Sequence, residues 1–265
     1  ALRQSGVIRA HNVDEMFELA EALAYSPRPE SNRVAIVSEG GGDNAIACEN
    51  AARVGLHVPL LSKKAQEKIT PHLLTNMPAH NPIDYGGVAE EDPVRIERVC
   101  RAALDSGEID SVYVTGFYGG FSEIISERIA EKENETARNL IKLVEDVQKP
   151  VVVHSSFARA GAESLEILKR GHIPVYESAG RAARALAALS EYAAHCKRLG
   201  VARPISHEEV AEEYYHKAAE LVAEARHAGR TFLLETESRA ILEQYSFPLG
   251  PARFVTRIDD VEGAI

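Results

Sequence analysis

Three consecutive glycines, Gly40, Gly41 and Gly42, separate a short apolar run from the start of a helical pattern. The run Arg33–Val37 (RVAIV) predicts a buried strand, and either Asp43 or Asn44 is suited to cap the following helix. A strand, a glycine turn and a helix start together expose backbone N–H groups toward an anion, and glycine lets a phosphate approach the main chain. The stretch therefore predicts a phosphate or phosphoryl site at Gly40, Gly41, Gly42, Asp43 and Asn44. A tight turn without a ligand is the alternative.

The elements around this turn alternate between strand and helix patterns from Asn32 onward. The strand candidates are Arg33–Val37, His57–Leu61, Ser111–Thr115, Pro150–His154 and Ile173–Tyr176. The first, third and fourth are nearly all apolar, which is typical of parallel strands covered on both faces. We therefore predict an α/β fold, a flavodoxin-like doubly wound parallel five-stranded sheet with strand order 2-1-3-4-5.

A second glycine-rich loop is predicted to reach the same place. In this strand order, ligands bind between the first and third strands, at their carboxyl ends. The third strand is followed by GFYGGF, the fourth ends in a histidine, and NPIDYGG is a further ordered loop. The candidate crevice residues are Gly116, Gly119, Gly120, Asn81, Asp84 and His154. For Asn81, Asp84 and His154 a purely structural role in their loops is the favoured interpretation.

The composition of the chain argues against several classes of partner and site. The chain has 265 residues, of which 45% are hydrophobic and 26% charged, as is usual for a globular protein. A net charge of −10 argues against nucleic acid or an anionic membrane as partner, and a phosphate site must then rely on local dipoles. Cys48, Cys100 and Cys196 have no disulfide or metal spacing and indicate a reducing cytoplasm. Neither a membrane span, a signal peptide nor a metal site is predicted.

The C-terminal part differs in composition. A break at LGVARPIS precedes a long charged helix, HEEVAEEYYHKAAELVAEARHAGR, and then a short strand, TFLL, and a helix, ETESRAILEQY. This tail has too little apolar surface to fold alone. The chain begins at Ala1 inside an apolar-rich segment and stops at what looks like a helix start. The sequence therefore predicts a piece of a longer polypeptide.

The chain resembles the NDP-forming acyl-CoA ligases, the superfamily of succinyl-CoA synthetase and ADP-forming acetyl-CoA synthetase. The matching strings, in the family's order, are ALRQSGVIRA, RVAIVSEGGGDNAIACENAARVGL, NPID, KPVVV, GHIPVYES and LLETESRAILEQYSFPLGP. NPID and the glycine segment are the most specific of these. By this resemblance, residues 1–31 are the end of a preceding ligase domain and a linker, and 32–198 are a flavodoxin-like ligase-CoA domain. Residues 199–230 are then a helical linker, and 231–265 start an ATP-grasp domain.

The resemblance implies a phosphoryl relay. An acid, CoA and ATP give acyl-CoA, ADP and phosphate by way of acyl phosphate and a phosphohistidine. That histidine is expected upstream of Ala1, so no catalytic residue is assigned to this chain. The piece is expected to be inactive alone and to supply the helix N-terminus that holds the phosphohistidine. ATP/ADP, Mg and CoA would be bound elsewhere in the intact protein.

The resemblance also implies partners. These are the other ligase, CoA-binding and ATP-grasp domains of the same protein or complex, which is expected to be a homo-oligomer when intact. The acyl substrate and the nucleotide preference are not predicted from this stretch.

Two carboxylates depart from the family's pattern. The glycine segment is commonly neutral in the family, whereas Glu39 and Asp43 flank the glycines here. Carboxylates beside a phosphohistidine would repel it unless they are protonated, paired or turned away. Two alternatives therefore stay open. One is a non-catalytic relative that senses CoA or acyl-CoA and regulates a partner or acyltransferase, and the other is a separate flavin-binding module.

Overall fold

The computed structural model describes residues 2, 4–74, 76–87, 92–201, 212–245, 247–255 and 257. The chain divides into two compact units, Ala1–Val201 and Ala202–Ile265. The strands of the first unit are β1 (Val34–Ser38), β2 (Ile83–Asp84), β3 (Ser111–Thr115), β4 (Val151–His154) and β5 (Val175–Tyr176). Its helices are α1 (Val13–Tyr25), α2 (Gly41–Arg53), α3 (Lys63–Ile69), α4 (Val94–Leu104), α5 (Phe121–Ile124), α6 (Ala130–Val147), α7 (Glu163–Arg170) and α8 (Ala179–Val201). Two 3₁₀ turns lie at Thr70–His72 and Glu127–Ile129.

The sheet has the predicted architecture. Its five strands are all parallel and lie in the order β2-β1-β3-β4-β5. The flavodoxin-like doubly wound fold is therefore confirmed. The carboxyl ends of β1 and β3 are direct neighbours, because Ser38 pairs with Thr115 at the end of the ladder.

Apolar side chains cover both faces of this sheet. One buried cluster joins Ala35, Val37, Val112, Val114, Val151 and Val153 of the strands to α3, α4, α6 and α7. The other joins Val34, Ile36, Tyr113 and Val152 to α2, α8 and α1. Successive strand residues point to opposite faces, so a strand covered by helices on both sides must be apolar throughout. The five residues of β1 and the five of β3 are accordingly all buried.

The second strand is not where the sequence predicts it. The predicted strand His57–Leu61 forms only a single parallel bridge, between His57 and Arg33, and β2 is instead Ile83–Asp84 of the NPID motif. The buried side chain of Asn81 bonds to β1 beside the predicted strand His57–Leu61. Its Oδ1 accepts from the Ile36 amide at 3.0 Å, and its Nδ2 donates to the Val34 carbonyl at 2.9 Å. A side-chain amide thus replaces a strand's backbone beside β1, which periodicity cannot predict.

Helices fill the connections between the strands, as the sequence predicts. Asn12 and Ser62 cap α1 and α3, accepting from the amides of Glu15 and Ala65. The connection between β3 and β4 contains α5 and a 3₁₀ turn, which leads directly into α6. Helix α1 packs against α8 in the first unit, with Glu18 bonded to Arg181 at 2.6 Å.

The second unit contains helices α9 (Glu212–His227) and α10 (Glu235–Gln244) among its described residues. The helix ETESRAILEQY is confirmed, whereas TFLL forms no strand in the described structure. Glu237 ties the segment before this helix to its first turn. Its carboxylate accepts from Arg230 at 2.7 and 2.8 Å and from the Leu234 amide at 2.7 Å. The hydrogen bond from Arg230 lowers the pKa of Glu237 to about 2.

Within the described residues, no helix has both the length and the apolar character needed to cross a membrane.

Candidate functional site

The glycine turn after β1 forms an uncapped helix tip. Gly40 is the N-cap of α2 in extended backbone, with φ of −161°, and it has no side chain that could cap the helix. Its own N–H donates to Ser38 Oγ at 3.3 Å. The helix therefore begins at Gly41, and its N-cap, Gly40, lies three or four residues before the predicted caps. Asp43 and Asn44 are its third and fourth residues, so the prediction that either caps the helix is wrong. The first N–H groups of a helix have no partner within it, and here they stay open to an external acceptor.

Open space surrounds these glycines. A Cβ atom built on Gly40, Gly41 or Gly42 would meet nothing within 4 Å. None of the three has a positive φ. Neither packing nor backbone conformation in the described chain thus requires glycine, although glycine in a helix costs about 0.5–1 kcal/mol relative to alanine. The glycines leave the backbone of the α2 tip accessible to something outside the described residues.

Glu39, one of the two acidic departures, is directed away from this tip. Its Oε2 accepts from the Tyr85 hydroxyl at 2.5 Å, and its Oε1 accepts from the Phe117 amide. A Cβ on Gly116, where φ is +124°, would lie 2.2 Å from Oε1, so the position requires glycine. Burial raises the pKa of Glu39, against the opposing effect of its hydrogen bonds to Tyr85 and Phe117. Glu39 therefore bridges the loops that follow β1, β2 and β3.

The second glycine loop has its own internal anion. The carboxylate of Glu133, which is buried in α6, accepts from the amides of Gly119 at 2.9 Å, Phe121 at 3.1 Å and Ser122 at 3.2 Å. A Cβ on Gly119 would lie 2.5 Å from Leu165. These amides are therefore satisfied within the chain, and the glycine serves packing.

Gly120 and Asp84, also predicted for the crevice, have structural contacts as well. A Cβ on Gly120 would lie 2.3 Å from the ring of Phe157. Asp84 Oδ1 accepts from the Gly86 amide at 2.8 Å, as in a turn stabilised by its own side chain. Together with Asn81 beside β1, these residues organise the loops around the α2 tip.

His154 lies at the carboxyl end of β4, as expected, and is only 9% exposed. Its Nδ1 is 2.7 Å from Thr115 Oγ1. Burial lowers the pKa of His154, while the Asp43 carboxylate acts in the opposite direction. The ring is therefore held in one orientation and favours its neutral form.

Sequence reasoning missed Tyr85 as a partner of Glu39, Glu133 as the internal anion, and Thr115 as the partner of His154. Each contact joins positions at least 11 residues apart. The sequence signal for Glu133 is its position at helical spacing from Ala137 and Leu140, on the apolar face of α6.

The strand order and the helix start after β1 define a flavodoxin-like α/β domain. Comparison with known proteins shows what the chain is related to. The chain is 30% identical over 195 residues to the acetate–CoA ligase (ADP-forming) I subunit alpha of Pyrococcus furiosus, covering 72% of this chain and 39% of that protein. It is 28% identical over 257 residues to the 4-hydroxybutyrate–CoA ligase (ADP-forming) of Nitrosopumilus maritimus, covering 94% of this chain and 33% of the relative. No family model matches the chain.

Solved structures agree with the sequence comparison. A crystal structure from Pyrococcus horikoshii matches with a TM-score of 0.62 and 26% identity, over 73% of this chain and 43% of that one. The acetyl-coenzyme A synthetase 1 of Ca. Korarchaeum cryptofilum shares the fold, with a TM-score of 0.63, 22% identity, and coverage of 76% of this chain and 43% of that one. The resemblance is therefore confirmed, and the chain is a homologue of part of the ADP-forming acyl-CoA ligases. It spans about 40% of the length of the first curated relatives.

Proposed function

We propose that the intact protein is an NDP-forming acyl-CoA synthetase and that this chain supplies the N-terminus of α2 to a phosphohistidine pocket. The reaction joins an acid to CoA with conversion of ATP to ADP and phosphate, by way of acyl phosphate and a phosphorylated histidine. The relatives named as ADP-forming ligases support this activity. The observation that carries the proposal is the uncapped tip at Gly40–Gly42, with open space around each glycine.

The chemistry of the tip fits a transient phosphoryl group. Unpartnered N–H groups and a helix dipole equivalent to roughly +0.5 charge favour an anion at this position. Glu39, the first acidic departure, is bonded to Tyr85 and Phe117 and does not cover the tip. Asp43 remains close, so its carboxylate weakens anion binding without removing the backbone donors.

Other parts of the protein would complete the site. We assign residues 1–31 to the end of a preceding ligase domain and a linker, 32–198 to the ligase-CoA domain, 199–230 to a helical linker and 231–265 to the start of an ATP-grasp domain. The phosphorylated histidine would lie upstream of Ala1. Other ligase, CoA-binding and ATP-grasp domains would be the partners, in a cytoplasmic homo-oligomer.

The nucleotide, CoA and Mg²⁺ are assigned to those other domains. No group of three His, Cys, Asp or Glu residues in the described chain is arranged to hold a metal ion. None of the steps proposed for this chain involves the metal.

The test is phosphoryl transfer in the intact protein. Joining Gly41→Val to Gly42→Val puts branched side chains where the phosphoryl group would bind, so labelled phosphate from ATP should no longer reach the histidine. Circular dichroism should show an unchanged fold, because both positions face open space. Gly250→Val, at an equally open glycine of the second unit, is the control and should leave labelling intact. Normal labelling of the double variant would refute the pocket.

The non-catalytic CoA sensor is the second candidate, and the Asp43 carboxylate beside the tip is the observation that favours it. In that case the wild-type protein would bind CoA or acyl-CoA without forming an acid-labile phosphohistidine. The flavin-binding alternative is less well supported, because Glu39 bridges the β1 and β3 loops where such sheets hold their ligands.

A further inference from the structure

A row of polar side chains runs along the carboxyl edge of the sheet. Ser38, Thr115 and His154 end β1, β3 and β4. Strand alternation places them on the face of Ile36, Tyr113 and Val152, which is the face covered by α2 and α8. Both helices begin at this edge, since α2 follows β1 directly and the Tyr113 hydroxyl donates to the Ala179 carbonyl at 2.8 Å. The row therefore lies beneath two helix N-termini.

His154 is the titratable group of this row. Thr115 Oγ1 binds its Nδ1, so Nε2 is on the side of the ring away from Thr115. The charged group acting on the imidazole is Asp43, in the first turn of α2. Tyr113 and Tyr176 of the flanking strands are both held protonated, because burial raises their pKa values. Burial and the helix N-termini both disfavour an imidazolium, which leaves a neutral ring.

Asn44 provides an independent indication of a ligand at the same tip. It lies with Ala47 and Ala51 on the buried, sheet-facing side of α2 and is only 5% exposed. Its Oδ1 is buried and has no hydrogen-bond partner among the described residues. A buried acceptor without a partner costs about 1–3 kcal/mol, so such an oxygen is normally satisfied by water or by a ligand that carries an O–H or N–H donor.

We propose that His154 is a phosphoryl-binding residue, whose Nε2–H donates to the group seated at the α2 tip while Thr115 donates to Nδ1. The Asn44 Oδ1 accepts from a P–OH group of the same ligand, which inorganic phosphate carries at neutral pH. The inference rests on the proposed function and extends it, because it adds two side chains to a site otherwise made of backbone amides. A neutral donor suits this position, since it binds the anion without taking up a proton.

Titration of the whole 265-residue chain with inorganic phosphate, followed by NMR, tests the assignment. The imidazole spectrum should show the Nε2–H tautomer of His154. Its signals and the amides of Gly41 and Gly42 should shift with one common Kd. His154→Leu should raise that Kd roughly tenfold, the effect of one lost hydrogen bond to a charged group, and His154→Gln should largely restore binding. His57→Leu, at the opposite edge of the sheet, should have no effect.

The outcomes separate the two claims. Shifts at Gly41 and Gly42 without a response from His154, or a Nδ1–H tautomer, would overturn the role of His154 and leave the helix tip as the site. An absence of shifts at both places would overturn the helix-tip site and, with it, the role of His154.

Discussion

Replacing Asn81 with alanine should destabilise the first unit severely, because three backbone groups depend on its amide. The side chain is 4% exposed and bonds the Ile36 amide at 3.0 Å and the carbonyls of Val34 and Pro59 at 2.9 and 3.1 Å. Leaving a buried polar group unsatisfied costs about 1–3 kcal/mol. The Pro59 carbonyl is assigned the low end of this range, because its bond is the longest of the three. The free energy of unfolding should then fall by about 3–5 kcal/mol, a large part of the 5–15 kcal/mol typical of a domain.

Urea unfolding followed by circular dichroism measures this change. Asn32→Ala is the matched control, because the exposed Asn32 side chain donates a single hydrogen bond, to the Gly55 carbonyl at 2.8 Å, and should lose less than about 1 kcal/mol. Asn81→Asp should resemble the alanine variant, since a carboxylate cannot donate to Val34 or Pro59. A loss below 1 kcal/mol for Asn81→Ala would refute the idea that this amide replaces a strand, and would reopen a ligand-binding role.

Three further predictions concern the acidic residues around the tip. Burial raises the pKa of Glu39 above its ordinary value of 4.5. The stability that protonated Glu39 contributes is therefore fully present below pH 4.5 and is lost as the pH rises through the raised pKa. In urea titrations over that pH range, the free energy of unfolding should fall less with rising pH for Glu39→Gln than for wild type. An equal pH dependence of the two unfolding free energies would contradict the burial argument. Glu133→Ala should cost roughly 3 kcal/mol in unfolding free energy by leaving the amides of its loop unpaired, yet keep phosphate affinity at the α2 tip, as calorimetry can check. Asp43→Asn should strengthen phosphate binding several-fold at low salt, and unchanged affinity would show that this carboxylate lies too far from the anion.

The fold was predictable because its signals are local. Apolar runs ending at Val37, Thr115 and His154 indicate buried parallel strands, and intervening helical patterns imply crossovers. The strand at Ile83–Asp84 was not predictable, because its two residues follow a proline and depend on pairing with β1. An extended run at His57–Leu61 has the better pattern, yet it bonds β1 at only one end.

The sequence predicted where the helix of the candidate site starts along the sheet edge, but not its cap residue or the contacts around it. Three glycines after a buried strand correctly indicate a helix start at the sheet edge. Which residue begins the helix depends on Gly40 adopting extended backbone, and the roles of Glu39 and Glu133 depend on loops brought together by the fold. Such long-range contacts leave no periodic signal in a single sequence.

The central claim is that the backbone amides of Gly41, Gly42 and Asp43 bind a tetrahedral anion. A crystal of the chain soaked in phosphate tests it most directly. Phosphate should lie within hydrogen-bonding distance of these amides, with Glu39 still bonded to Tyr85. An empty tip at saturating phosphate, with the Asp43 or Glu39 carboxylate folded over the amides, would contradict it.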